Sequence, residues 1–137
     1  MEFTSKSNIL KFLDNSLKQS KIEKIYDFTV SDWEENEKNI LNQISSNFKS
    51  KIIVRSSAIG EDSISNSEAG SYESILNVST ISKFKIKTAI NKIIKSYHTK
   101  ENFDKNNQIL IQNQTLDVVM SGVVFTKTED FGAPYYI

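Results

Sequence analysis

The sequence predicts an α+β domain, mixed layers of about three helices and five to six strands. Three observations carry that prediction. Apolar residues recur at helical spacing in three separate segments, 4–18, 31–48 and 82–98. Between and after them stand short runs rich in β-branched residues, of which "KIIVR" at 51–55 and "QILIQN" at 108–113 are the plainest. No repeat, linker or low-complexity tract divides the 137 residues, so one unit is expected.

The elements follow in order. In 4–18, Ile9, Leu10, Leu13 and Leu17 share a helical stripe, Thr4 is the expected N-cap, and Lys6 falls in the first turn. Residues 22–28, "IEKIYDF", form a short strand. The next helix opens near Ser31, where Ser31 and Glu34 have capping-box spacing. Trp33, Ile40, Leu41, Ile44 and Phe48 then keep the period, with Glu37 a polar exception on that face. "KIIVR" is a buried strand, residues 56–70 are a loop of small and acidic residues, and "SYESILNV" alternates as a strand. The third helix, 82–98, carries Phe84, Ile86, Ile90, Ile93, Ile94 and Tyr97 on or near one face. After the loop "TKENFDKNN", the runs "QILIQN" and "DVVMSGVVFTK" are expected to pair as a hairpin. "TEDFGAP" turns the chain and "YYI" opens a further strand.

Composition removes several classes of function. Hydrophobic residues make up 38% and charged residues 25%, the balance of a soluble globular chain. Basic and acidic residues are equal, 17 against 17, so no general attraction to nucleic acid or a membrane surface is expected. The absence of cysteine excludes disulfides, thiolate zinc sites and a nucleophilic thiol. His98 stands alone, so no multi-histidine metal site can be built. The opening residues lack the apolar core of a secretory signal, and no window has the ~18 apolar residues of a spanning helix, which makes the cytoplasm the expected location.

Four places could carry chemistry. Arg55 ends a buried strand, where its planar fork suits a phosphate or a carboxylate; an ordinary salt bridge is the competing account. "EAGSYES" at 68–74 could bring successive backbone N–H groups to an anion, or be a plain surface turn. The Lys6 ammonium would join the N–H groups of a helix start, though surface lysines are common there. Gln112 lies among apolar neighbours and needs partners for its amide, either a ligand or nearby backbone. Glu61 and Asp62 fit a solvated loop better than acid–base work. Neither a P-loop nor a dinucleotide-binding glycine motif is present.

Taken in order, these segments resemble a known family. "IIVRSSAIGEDSISNSEAGSYESILNV" is similar to the strand–loop–strand of the nucleotide-binding domain of phosphoenolpyruvate synthase and pyruvate phosphate dikinase, V-R-S-S-A-x-x-E-D followed by A-G-x-x-E/D-S/T-x-L-N-V. "ILIQNQTLDVVMSGVVFTKTEDFGAPYYI" resembles the later V-Q-x-M and S-G-V-x-F-T segment, and "FTSKSNILKFL" the family's opening. The chain departs from the pattern at Thr4-Ser5, where the family has a glycine pair, at Glu68 and at Lys127.

The resemblance implies the N-terminal portion of an ATP-grasp-like domain, in a phosphotransferase that passes a phosphoryl group from ATP to a histidine on a separate domain. It implies that Lys6 and Arg55 contact the nucleotide's phosphates, that Ser74 and backbone around Gly70 cover them, and that Gln112 faces the nucleoside. Its magnesium-binding acids and histidine domain belong to later segments, so no catalytic or metal-binding residue is assigned here. The expected partners are ATP, the rest of the ATP-grasp domain and a phosphohistidine domain. The chain alone is expected to bind ATP weakly or not at all and to lack turnover. The alternatives are a truncated, non-catalytic relative acting as a binding or regulatory module, and an unrelated α/β domain in which Arg55 sits in a plain salt bridge.

Overall fold

The computed structural model describes residues 5–59, 62–63, 66–67, 73–99 and 103–122. In chain order the elements are α1 (Lys6–Ser16), β1 (Ile25–Thr29), α2 (Val30–Asn47), β2 (Lys51–Ser57), β3 (Asp62–Ser63), β4 (Asn66–Ser67), β5 (Ser74–Ser79), α3 (Lys83–His98) and β6 (Gln108–Asn113). Four strands form one antiparallel sheet in the order β1-β6-β2-β5. The pair β3–β4 is a separate two-residue ladder inside the segment expected to be loop. The result is the α+β arrangement that the helical and strand periods predict. No helix among the described residues is long and apolar enough to cross a membrane.

Alternation along each strand divides the sheet into two faces. Ile52 and Val54 of β2, Ile109 and Ile111 of β6, Phe28 of β1 and Val78 of β5 turn toward α2 and α3 and are buried with them. The helices supply Trp33, Ile40, Leu41 and Ile44 from α2, and Ile86, Ala89, Ile90, Ile93 and Tyr97 from α3. Glu37, the polar exception of α2, bonds Lys87 of α3 at 2.7 Å, and the Trp33 Nε1–H donates to Asn91 Oδ1 at 3.1 Å. Polar pairs thus seal the seam between two helices whose inner stripes are apolar. The backbone of α2 leaves helical geometry at Asn36, with φ −132° and ψ 29°. Phe84, expected on the inner face of α3, is 78% exposed on its first turn.

The helix starts differ from the expected ones for a local reason. β1 runs directly into α2, so the last strand residue must also be the cap. Thr29 Oγ1 accepts from the Asp32 N–H at 3.0 Å, while Asp32 Oδ2 accepts from the Thr29 N–H at 2.9 Å. The capping box is therefore Thr29–Asp32, and Ser31 lies inside the helix. Glu34 pairs with Lys105 at 2.6 Å instead. At α1 the N-cap is Ser5, with φ −156° and ψ 159°, in place of Thr4, which lies outside the described residues.

Strand limits follow the pairing. β1 occupies 25–29 rather than 22–28 because it registers on β6 from Ile25↔Gln112 to Thr29↔Gln108. β2 continues two residues past Arg55 for the same reason, ending on Ser57↔Gln108. In β5 the register on β2 slips between Ile52 and Val54, and Asn77 takes φ 59°. That bulge kinks an edge strand, a site where asparagine tolerates left-handed backbone. No strand forms over 117–122, so the described part of "DVVMSGVVFTK" does not make the expected hairpin. The remainder of that run, with "TEDFGAP" and "YYI", lies outside the described residues.

The Thr29–Asp32 box has a pH signature. The Thr29 N–H, and then its hydroxyl, hold the Asp32 carboxyl below its ordinary value. A folded-state pKa below the unfolded one stabilises the fold above roughly pH 4, and the contribution fades as pH falls through the lowered folded value. Thr29→Ala removes both the acceptor of the Asp32 N–H and the hydroxyl that donates to the Asp32 carboxylate, and should cost about 1 kcal/mol at neutral pH. The difference from the parent should shrink near pH 3, read by urea denaturation at both pH values.

Candidate functional site

The opposite face of the sheet mixes polar and apolar side chains, and the period of two explains which residues stand there. Ile53, Arg55 and Ser57 of β2 alternate away from the helices. Register places Gln112, Leu110 and Gln108 of β6 beside them, and Ser74 of β5 beside Arg55. Asp27 of β1 lies across from Leu110. One rung across all four strands therefore reads Asp27, Leu110, Arg55, Ser74.

Arg55 is partly buried at the middle of this face. Its Nη1 donates to Gln112 Oε1 at 3.3 Å, and among the described residues the guanidinium meets no carboxylate within salt-bridge range. The expectation of an arginine at the carboxyl edge of its strand is corrected here. β2 runs on to Ser57, and its neighbours are antiparallel, so Arg55 projects from a sheet face in mid-strand. Gln112 satisfies its amide oxygen through that side chain.

The N-terminus of α1 is tied to the same face. The Ser7 N–H donates to Ser57 Oγ at 2.9 Å, and the Asn8 N–H to the Ser5 cap at 3.3 Å. Ser5 Oγ donates in turn to Gln108 Oε1 at 2.6 Å. One turn on, Lys11 Nζ lies 2.5 Å from Asp27 Oδ1, and Gln108 Nε2 donates to Asp27 Oδ2 at 3.2 Å. Lys6, the first residue of α1, thus starts a helix docked beside the Arg55 face. The N–H groups expected to be free at this helix start are occupied at Ser7 and Asn8.

Beneath these contacts the ladder between β2 and β6 ends in an inserted hydroxyl. Tyr97 of α3, fully buried, accepts from the Ser57 N–H at 2.8 Å and donates to the Gln108 C=O at 2.5 Å. Ser57 and Gln108 are register partners, so Tyr97 bridges the pair that carries both docking residues of α1.

The structure therefore brings Arg55, Ser74 and Gln112 onto one face and docks the helix of Lys6 against it. Ser74 is exposed at the start of β5. Gly70, Glu61 and most of "EAGSYES" lie outside the described residues. His98 stacks on Phe103 with centroids 4.0 Å apart, at the far end of α3. No group of three His, Cys, Asp or Glu side chains able to hold a metal occurs among the described residues. Asp27, Gln108, Ser57 and Tyr97 carry no functional signal in the sequence. The first two are legible only as the outward positions of strands, Ser57 falls in an expected loop, and Tyr97 in an apolar helical stripe.

A sheet face that sets a guanidinium among amides and hydroxyls, with a lysine-bearing helix start docked on it, has the chemistry of an oxyanion-binding domain. The model of the family described as pyruvate phosphate dikinase, AMP/ATP-binding domain, matches residues 29–132. That span is most of the chain, and the protein belongs to this family of nucleotide-binding domains, of which it represents the N-terminal part. Arg55, Gly70, Ser74 and Gln112 fall inside the matched span, whereas α1 and Lys6 precede it. No curated protein and no solved structure matches the chain.

Two hydroxyl deletions should separate useful from idle polar groups in this region. Ser7 Oγ is buried without a hydrogen-bond partner among the described residues, so Ser7→Ala should leave stability unchanged or raise it by up to about 1 kcal/mol. Tyr97→Phe strands a buried N–H and a buried C=O and should cost about 1–3 kcal/mol. Denaturant midpoints of the two variants, compared at constant m-value, give both signs.

Proposed function

We propose that the Arg55 face of the sheet is one wall of an ATP phosphate site, in a phosphotransferase resembling phosphoenolpyruvate synthase and pyruvate phosphate dikinase. Arg55 carries the proposal. It is a partly buried guanidinium with no carboxylate beside it among the described residues, set on the face against which the lysine-bearing helix is docked. A cation left unneutralised in such a setting is suited to a multiply charged oxyanion.

In this reading Arg55 and Lys6 hold phosphate oxygens, and Ser74 with backbone near Gly70 closes over them. Gln112 has two roles that suit each other. Its Oε1 steadies the Arg55 fork, and its Nε2–H₂ is directed to the nucleoside. Charge on a transferring phosphoryl group spreads over its oxygens, so fixed donors around it supply much of the stabilisation.

The family's chemistry also calls for magnesium. The carboxylate of this face, Asp27, is already engaged by Lys11 and Gln108, which does not fit a metal seat. Metal ligands, the phosphorylated histidine and the acceptor are assigned to other segments of such an enzyme. The chain by itself is accordingly a weak nucleotide binder without turnover.

Weak binding is measurable by amide chemical shifts. ATP at millimolar concentration should shift signals at Lys6, Arg55, Ser74 and Gln112, and Arg55→Ala should reduce the response at least about tenfold, the loss expected for a charged hydrogen-bond donor. Adenosine without phosphates should give the same small response in both proteins. Shifts confined to other surfaces, or an Arg55→Ala response equal to the parent's, would sink the assignment. Tight magnesium-dependent ATP binding by residues 1–137 would sink the claim that other segments complete the site.

A further inference from the structure

We propose that Gln108 is a positioning residue whose side-chain amide locks the first turn of α1 onto the sheet and thereby sets where Lys6 stands. The part concerning Lys6 rests on the phosphate-site reading; the lock itself does not.

The helix needs such a device because, among the described residues, no apolar side chain of α1 is fully buried. Of its apolar stripe, Ile9 and Leu10 are only half-buried, Leu13 and the C-cap Leu17 are 37–39% exposed, and Phe12 beside them is 49% exposed. The ties that the structure shows are polar and lie in the first two turns: Ser5 to Gln108, Ser7 to Ser57, and Lys11 to Asp27. Lys6 stands between the first two of these.

Gln108 joins the first tie to the third, and its orientation is fixed by chemistry. The Asp27 carboxylate can only accept, so the amide nitrogen must face it, leaving Oε1 for Ser5. The Ser5 hydroxyl must then donate to Gln108, which frees its lone pair to accept from the Asn8 N–H. A single direction runs through the chain, from the Asn8 N–H to the Ser5 hydroxyl, to the Gln108 amide, to the Asp27 carboxylate. Lys11 neutralises its far end. Each link polarises the next, and reversing any one leaves two acceptors or two donors face to face.

That directionality supplies the test. Gln108→Glu keeps size and shape but sets a second carboxylate against Asp27, so the lock should open. Adding Asp27→Asn reverses the polarity of the link and restores it. The new amide donates to the new carboxylate, its carbonyl still accepts from Lys11, and net charge is unchanged from the parent.

Hydrogen exchange of the whole chain without nucleotide reads the lock directly. Exchange at Ser7, Asn8 and Ile9 should rise roughly tenfold or more in Gln108→Glu and return near the parent rate in the double variant. Core amides of Ile109 and Ile111 serve as the internal control. If the single variant loosens the core as well, parent-like α1 protection in the double variant still supports the lock. Parent-like exchange in the single variant overturns the proposal, as does a double variant no slower than the single one.

Acylation of the Lys6 amine, with and without ATP, reads the consequence for the site. Protection by ATP should appear in the parent and double variant and vanish in Gln108→Glu. If exchange follows the predicted pattern but ATP protects Lys6 in none of the three, the lock is supported and the nucleotide role of Lys6 fails. If ATP protects Lys6 equally in all three, the positioning role fails.

Discussion

The insertion of β6 between β1 and β2 is the constraint on which the rest depends. Residues 108–113 enter the sheet after the other described strands have been passed in sequence, and they pair along their length with strands on both sides. Until they do, β1 has no neighbour among the described strands and α2 has no continuous surface to cover. The segment meets this demand with three consecutive apolar residues, all fully buried. Ile109 and Ile111 face the helices, and Leu110 lies on the other side. A strand covered on both faces loses the apolar–polar alternation of a half-exposed one, which is why "QILIQN" looks like a core segment with amides at its ends.

Those amides follow from the same insertion. With Ile109 and Ile111 committed to the core, Gln108 and Gln112 must both emerge on the far face, with Leu110 between them. One amide reaches Arg55, the other Ser5 and Asp27. The Tyr97 hydroxyl then couples the two layers. It belongs to the core helix, yet it completes the backbone pair that presents Ser57 and Gln108 to α1. Stability on one side of the sheet and geometry on the other therefore meet in one buried hydroxyl. A variant there cannot be interpreted from activity alone.

The elements were legible in the sequence where they bury an unbroken apolar set. α3 and β6 appear nearly where their patterns place them, because Ile86, Ile90 and Ile93, or the run at 109–111, allow one solution. Limits were less legible where a neighbour decides them. Ser31 and Glu34 have the spacing of a cap, but β1 feeds α2 without a break and Thr29 takes the role. Ser57 has the composition of a loop, but pairing with β6 holds it in a strand. Of the candidate site, Arg55, Ser74 and Gln112 are proposed by a strand pattern and a family resemblance, and the structure sets them on one face. Asp27 and Gln108 are not, since their importance arises from register between segments some eighty residues apart in the chain. Local propensity carries no record of such a meeting.

The rung Asp27–Leu110–Arg55–Ser74 shows how Arg55 stays clear of Asp27, the carboxylate on its own rung. Asp27 and Arg55 point the same way from strands two places apart, a separation of roughly 10 Å at ordinary strand spacing. A polar residue between them could relay one charge to the other, but Leu110 cannot. Asp27 is instead engaged by Lys11 at one carboxylate oxygen and by Gln108 at the other. Its charge is matched locally, and little of its field remains to oppose an anion at Arg55. The same arrangement uses the carboxylate to dock α1, so the group that would otherwise quench the arginine also ties the lysine-bearing helix to this face. Docking and charge separation are thus one problem with one solution, and the apolar side chain at position 110 is what keeps the two halves apart.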